Sequence, residues 1–509
     1  MTPSEDLFDL IQSLSMSEKR YFKIFASKHV IGKQNVYSIL FDAIEVQREY
    51  DEKAIKKQFA KESFIKRLPA LKNYLLHIIL KSLRVYHSNE SSSLRIKELL
   101  EHVEILYEKG LYPLCKKTLA KAKCLASQYE MTAQIMECLK WEGDLLVAKG
   151  TVAERKSTNI DIYKEQQRSI DEYKNSIEYR FLNSKAFSLL LNEGNLNRSA
   201  DFKKKFKSIL NHPLLRSDKQ ALSFQAKNSF YNTYSFYYRG IGELKKSYTA
   251  RKKQMELWES NPMMIEQNEK SYVSAFANFI NIHLELKKYD EALLLLHKVR
   301  GIVYKSLPVR IKVFSFSHIL ELNIVNEKGS FENGLKLARE IEAGLEKYKK
   351  NISKLDEVDL LYNSAISYFG AAQFGKSLVC LNKVVNDKKT ETTHVHCFAR
   401  ILNLIVHFEK GNDETLKHVA SSTHRFLKKT KRAYQFETLM LHFAKKISSS
   451  FPRKDLISEF KEFRKKLIEL KNDPYERKVF EYFAYIEWVD SKIENKPFAE
   501  VVRSKGRKV

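Results

Sequence analysis

The chain has 509 residues, too many for one compact core unless that core extends by the stacking of similar units. Hydrophobic residues make up 43% of it, and glycine and proline number only 15 and 9, so the composition excludes general disorder and disfavours a sheet protein, which needs many turns. Lys and Arg outnumber Asp and Glu by 89 to 62, a formal charge of +27. That charge permits nucleic-acid binding, although lysine-rich solvated helix faces explain it more simply. We therefore predict an all-α fold.

The five cysteines include no CxxC pair, as expected where thiols stay reduced. The first residues are acidic and lack the basic start and apolar core of a secretory signal. Apolar runs stay far below the roughly 18 residues that a membrane span requires. These features predict a cytoplasmic protein that does not enter a membrane.

Residues 1–90 are predicted to form a separate N-terminal helical bundle. Serine and aspartate oxygens accept hydrogen bonds from the free amides of a first helical turn, so Ser4, Ser17 and Asp51 each indicate a helix start. The polar, serine-rich stretch 88–93 indicates a junction. The five predicted helices cover 4–14, 17–28, 35–49, a stretch after Asp51, and 71–87.

Residues 94–448 contain a series of short sequences that indicate the end of a helix. Each of them is followed by another amphipathic stretch. The signals are 39 to 48 residues apart. A period of about 20 to 50 residues with two helices per period is typical of a helical solenoid, because a single amphipathic helix cannot bury its apolar stripe alone. The signals are Lys109-Gly110, Lys149-Gly150, Glu193-Gly194, Arg239-Gly240, Lys287-Lys288, Lys328-Gly329, Ala371-Ala372 and Lys410-Gly411.

Several of these turns resemble the tetratricopeptide repeat. The clearest match is Tyr289-Asp290-Glu291-Ala292 followed by Leu296 and Val299, with an aromatic residue at the turn, then acidic residues, alanine and spaced apolar residues. The stretch from Gly329 to Gly334, with Ala338 and Ile341, is similar. The family unit has about 34 residues and is shorter than the intervals here. The resemblance implies a right-handed α-solenoid of about seven to eight helical hairpins over residues 94–448.

Residues 453–493 are predicted to form two capping helices that close the end of the array, as terminal units of a solenoid must. The second predicted helix, 474–493, is rich in aromatic residues. Residues 494–509 form a short basic tail that we predict to be disordered.

The sequence contains no motif that supports catalysis. It has no glycine-rich phosphate loop, no HExxH and no GxSxG, so we predict neither an enzyme nor a cofactor. The closest approach to a metal site is His394, His396 and Cys397. On a helix the two histidines face opposite sides, and no fourth ligand lies nearby, so helix-start and packing roles are preferred to zinc.

Asparagine recurs in the first helix of successive hairpins, although it is a mediocre helix former. In tetratricopeptide domains these helices line a concave groove, and asparagines there hold the backbone of a bound peptide. The resemblance implies the same role here, with two aromatic residues as apolar anchors. The alternative is that the amides fasten one hairpin to the next or face water. The candidate partner-binding residues are Asn278, Asn281, Asn323, Asn326, Tyr362, Asn363 and Phe369.

Two functional hypotheses follow. The first is a scaffold or adaptor protein that binds a peptide or helix of a partner protein in the groove. The second is a nucleic-acid-associated regulator that uses the N-terminal bundle or the basic second helices, because lysine and arginine runs can contact phosphates. The runs are Lys203 to Lys207, Lys245 to Lys253 with Arg251, and Lys428 to Arg432.

Overall fold

The computed structural model describes residues 5–27, 35–88, 91–192, 200–349, 351–391, 393–430, 434–447, 453–473 and 476–506. Within these ranges the chain contains α-helices, 3₁₀ turns and loops but no strand, so the all-α prediction is confirmed. In the same ranges, no helix combines the length and apolar character needed to cross a membrane. The chain divides into two compact units, residues 1–174 and 175–509.

The first unit begins with a helical bundle whose apolar core includes Phe22, Phe41 and Ile79. Asp51 caps the fourth helix by accepting from the amide of Ala54 at 3.0 Å. The second helix starts earlier than predicted, because Ser15 rather than Ser17 exchanges capping hydrogen bonds with Glu18. Ser4 lies outside the described residues. The bundle helices are α1 (Asp6–Ser13), α2 (Met16–Ser27), α3 (Val36–Glu45), α4 (Glu52–Gln58) and α5 (Leu68–Tyr86).

Three further helices of this unit pack in chain order around Ile96, Leu119 and Cys138. They are α6 (Ser92–Glu108), α7 (Tyr112–Gln128) and α8 (Thr132–Lys149). The next helix, α9 (Val152–Asn192), has 41 residues and contains the boundary between the units. The predicted spacing leads to two helices in this stretch, but the sequence has neither glycine nor proline there to end the first one. The predicted turn at Glu193-Gly194 lies outside the described residues.

The second unit holds five helix pairs, whose first members we call A helices and whose second members B helices. The A helices are α11 (Phe224–Gly240), α14 (Glu269–Glu285), α16 (Leu307–Glu327), α18 (Lys354–Gly370) and α20 (His394–Glu409). The B helices are α12 (Leu244–Glu259), α15 (Tyr289–Arg300), α17 (Phe331–Tyr348), α19 (Phe374–Asn386) and α21 (Asp413–Lys429). The remaining helices are α10 (Ala200–Leu210), α13 (Pro262–Gln267), α22 (Gln435–Ile447), α23 (Arg453–Asn472), α24 (Tyr485–Glu494) and α25 (Phe498–Gly506).

Each A helix ends in the same way. A residue with positive φ follows the helix, and the next amide donates to a carbonyl five residues back, as Lys288 does to His283 at 2.8 Å. This geometry satisfies the last carbonyls and reverses the chain, and glycine adopts it without strain. Lys287 and Ala372 adopt it as non-glycine residues. The residues with positive φ are Gly242, Lys287, Gly329, Ala372 and Gly411.

The pairs follow one another in space in the order of the sequence. The two helices of a pair pack together, each of the first four B helices packs on the next A helix, and α21 packs on α22. The A helices α14, α16, α18 and α20 also pack on one another in turn. Residues buried between them include Ala292, Leu296 and Val299, the apolar positions of the clearest repeat match.

The end of the chain differs from both C-terminal predictions. The predicted second capping helix is broken: a 3₁₀ turn spans Arg477–Glu481, and α24 begins only at Tyr485. The predicted disordered tail forms α25, in which Val501 and Val502 are buried. We refer to residues 476–506 as the C-terminal segment. This segment is ordered because it buries apolar side chains against the helix pairs.

Candidate partner-binding surface

Asn281 and Asn323 occupy the same position in two successive A helices. Each lies six residues before the residue with positive φ that follows its A helix. That residue is Lys287 for Asn281 and Gly329 for Asn323. Asn323 is exposed and Asn281 is half-buried, and neither side chain has a hydrogen bond with another described residue. Asn278, one turn earlier on α14, is in the same state. These amides therefore present free donors and acceptors on adjacent, packed helices.

Two other candidate asparagines are already engaged. Asn326 donates to the Asn363 carbonyl at 3.1 Å and accepts from the Ser367 hydroxyl at 2.6 Å, which fastens α16 to α18. The Asn363 amide donates to the Asp359 carbonyl in its own helix at 2.9 Å. The Asn326 amide thus holds neighbouring helices together, as in the alternative interpretation, whereas the Asn363 amide is engaged within its own helix.

The two predicted aromatic anchors are not exposed. Tyr362 and Phe369 are each 2% exposed. The Tyr362 hydroxyl donates to the carbonyl of Tyr482 at 3.0 Å, and the Phe369 ring lies 5.3 Å from that of Phe483 and 5.2 Å from that of Phe498. The C-terminal segment thus covers this part of the A helices, and the sequence prediction treated that segment as a separate cap and tail.

A buried polar cluster between α11 and α12 was not predicted. Arg251 belongs to a basic run that we expected on a solvated face, but it is only 3% exposed. Its guanidinium donates to the side-chain oxygens of Asn232 and Gln254 and lies over the Phe236 ring. Burial lowers the pKa of Arg251 to about 9. Both acceptors are neutral amides. Because Arg251 lies on α12 and Asn232 on α11, the cluster fastens an A helix to its B helix.

The rest of the basic runs, where described, behave as predicted for solvated faces. Lys203, Lys204, Lys205 and Lys207 on α10 are exposed, as are Lys245, Lys246, Lys252 and Lys253 on α12. Phe206, beside the first run, is fully buried. Lys431 and Arg432 lie outside the described residues. Their exposure is compatible with a phosphate-binding surface and with simple solvation alike.

The histidine and cysteine cluster is part of a helix start. Thr393 caps α20 by accepting from the amide of His396 at 3.3 Å, and the His396 ring lies 3.1 Å from the Val385 carbonyl. Cys397 is buried. Among the described residues, no three His, Cys, Asp or Glu side chains are grouped in a way that could hold a metal ion.

A cavity of about 420 Å³ opens beside α16 and the start of α18. We call it the α16–α18 cavity. Lys312 and Ser315 of α16 and Asp356 of α18 supply its polar wall. Its remaining lining residues are Leu307, Pro308, Ile311, Phe316, Asn351 and Ser353. Sequence reasoning did not find this site, because its charged members come from helices that are distant along the chain.

Asp359, one turn after Asp356, has an unusual titration. Burial, reinforced by the nearby charge of Asp356, raises the pKa of Asp359 to about 6. No ion pair or hydrogen bond to its carboxylate is present among the described residues. The ionised form is therefore less well accommodated in the folded chain than in the unfolded chain.

We expect Asp359→Asn to stabilise the protein at neutral pH. A raised folded-state pKa means that wild-type stability falls as pH rises from about 4 to about 6, where the folded state holds its proton more tightly than the unfolded state. Because the side chain is only partly buried, we expect a gain of about 1 kcal/mol at pH 7.5. Urea unfolding at pH 7.5 and at pH 4 measures it. The gain should disappear at pH 4, and a variant less stable than wild type at pH 7.5 would contradict the assignment.

Comparison with known proteins yields no match. No protein-family model, no curated protein and no solved structure matches the chain.

Proposed function

We propose that this protein is a non-catalytic binding scaffold, whose helix pairs form a right-handed tetratricopeptide-like solenoid and whose A helices receive a peptide or helix of a partner protein. The helix pairs support the architecture, because they pack in chain order and share one type of turn. Apolar edges of one pair are buried by the next, which is how a repeat array makes a continuous core.

The equivalent placement of Asn281 and Asn323 carries the proposal. A peptide backbone alternates donors and acceptors, and a side-chain amide offers one of each group at the same site. Amides at the same register of two packed helices can therefore hold successive peptide groups of a bound segment. Asn278 would extend this row along α14. Neither Asn281 nor Asn323 contributes a side-chain hydrogen bond to the described fold, so both amides are available to an external ligand.

The C-terminal segment gives a second, independent reason. It contacts the A helix α20, where Tyr482 stacks on Phe398 at 4.1 Å, and helix α22, where Tyr485 lies 4.8 Å from Phe436. Its backbone also receives a hydrogen bond from Tyr362. This side of α18 and α20 is therefore suited to an added segment of chain, and the unengaged amides lie on the preceding A helices α14 and α16.

We expect the double substitution Asn281→Ala/Asn323→Ala to weaken partner binding at least tenfold. Two lost amide contacts, each contributing about 0.5–1.5 kcal/mol, account for this factor. Peptides selected on the wild-type protein from a random display library would be titrated against both forms by fluorescence anisotropy. The control is Asn333→Ala, an exposed asparagine on a B helix. Equal affinities for the wild type and the double variant would reject the groove as the binding surface.

A further inference from the structure

We propose that the α16–α18 cavity binds a small zwitterion with an apolar side chain, a free α-amino acid or a dipeptide. This inference is independent of the proposed partner-binding function. It concerns a different part of the A helices and ligands of a different size.

The charges of the cavity are the first argument. Lys312 and Asp356 both line it, yet they form no ion pair with each other among the described contacts, although ion pairs within 4 Å are common elsewhere on the chain. Lys312 donates to the hydroxyl of Ser274 on α14, and the Asp356 carboxylate has no ion-pair partner in the described part of the chain. One cation and one anion thus face the same space without forming an ion pair, although the Asp356 charge acts on Lys312 from a greater distance. A ligand that carries both charges can pair with each of them.

Ser315 supplies a second, independent argument for a polar ligand. The residue is only 2% exposed and lines the cavity, and its hydroxyl has no hydrogen-bond partner among the described residues. A buried hydroxyl without a partner costs free energy, so such groups are rare without a purpose. Ser315 lies three residues after Lys312 on α16, hence on the same side of the helix. Lysine and serine together suit a carboxylate, while Asp356 suits an ammonium group.

Asp359 strengthens the part of the cavity that would receive the ammonium group. Its carboxylate lies one turn from Asp356 on the same side of α18, and two carboxylates that repel each other gain when an ammonium group approaches. The charged form of Lys312 is likewise disfavoured, because burial and the nearby charge of Lys270 lower its pKa. A bound carboxylate would stabilise the charged form of Lys312.

The apolar wall and the volume define the rest of the ligand. Leu307, Ile311 and Phe316 offer a surface for an aliphatic side chain. A volume of about 420 Å³ is within the range of small-ligand sites and exceeds the need of a single amino acid, so a dipeptide also fits. The two possible sources share the ammonium, carboxylate and apolar group, and differ in length.

Isothermal calorimetry on the full chain tests the proposal with four probes. L-leucine and L-leucyl-L-leucine carry both charges, N-acetyl-L-leucine lacks the ammonium group, and L-leucinamide lacks the carboxylate. We expect at least one zwitterion to bind, and both blocked analogues to bind at least tenfold more weakly. The better of the two zwitterions identifies the source. Absence of binding by both zwitterions at millimolar concentration overturns the proposal.

Two substitutions then assign the charges. Asp356→Asn should weaken the zwitterion at least tenfold and reduce its advantage over N-acetyl-L-leucine, and Lys312→Met should do the same with respect to L-leucinamide. Glu414→Gln, an exposed carboxylate on α21, is the matched control and should leave affinity unchanged. Circular dichroism verifies that each variant folds. Folded variants with wild-type affinity for the zwitterion would also overturn the assignment.

Discussion

Trp488→Ala is expected to destabilise the second unit by about 4 kcal/mol, because it removes a large buried side chain from a well-packed core. Trp488 is 1% exposed, and its ring lies 5.7 Å from that of Phe460 and 6.1 Å from that of Phe408. Its indole nitrogen donates to the Glu409 carboxylate at 2.7 Å, a contact that joins α24 to α20. Urea unfolding followed by far-ultraviolet circular dichroism measures the loss.

Phe181→Ala is the matched control for this prediction. Phe181 is an aromatic residue of the same unit, but 61% of it is exposed, so its removal should change stability by less than about 0.5 kcal/mol. A loss below about 1 kcal/mol for Trp488→Ala would mean that the C-terminal segment lies on the helix pairs without contributing to their core.

Gly334→Ala is expected to destabilise the protein by about 2 kcal/mol, although alanine normally stabilises a helix relative to glycine. Gly334 lies in α17, and a Cβ atom there would meet the Ser367 Oγ at 2.4 Å and the Ser367 Cβ at 2.7 Å. Ser367 cannot give way without cost, because its hydroxyl donates to Asn326. Thermal unfolding of the variant and the wild type at the same concentration measures the effect.

Gly375→Ala should act in the opposite direction. Gly375 lies in α19, and a Cβ atom there would meet nothing within 4 Å. The helix propensity of alanine then acts alone and should stabilise by roughly 0.5 kcal/mol. The two variants make the same chemical change, so opposite signs isolate the close contact between α17 and α18. If both raise the unfolding temperature, the contact is looser than the structure indicates.

Several features could be predicted from the sequence because their causes are local. The turn signals at Gly329 and Gly411 correspond to residues with positive φ, which glycine adopts readily. Asp51 caps a helix as predicted. The long helix α9 also had a local signal, the absence of glycine and proline, which the expected period of the repeat outweighed.

Other features had no local signal. The chain from 482 to 484 is not helical, and the carbonyl of Tyr482 accepts instead from Tyr362, which lies 120 residues earlier. Arg251 resembles its lysine neighbours in sequence, and only packing between α11 and α12 reveals that it is buried. Tyr362 and Phe369 were predicted to be apolar anchors for a peptide, but the C-terminal segment covers them.

The sequence by itself determined the helical class and those helix ends that depend on a local signal, such as the Asp51 cap and the turns at Gly329 and Gly411, since these depend on residues within a few positions of one another. Only the tertiary structure decided which amides stay free, which aromatic residues are covered and which charges meet in the α16–α18 cavity. Those outcomes depend on contacts between distant helices, and a helix in isolation presents all of its faces to solvent.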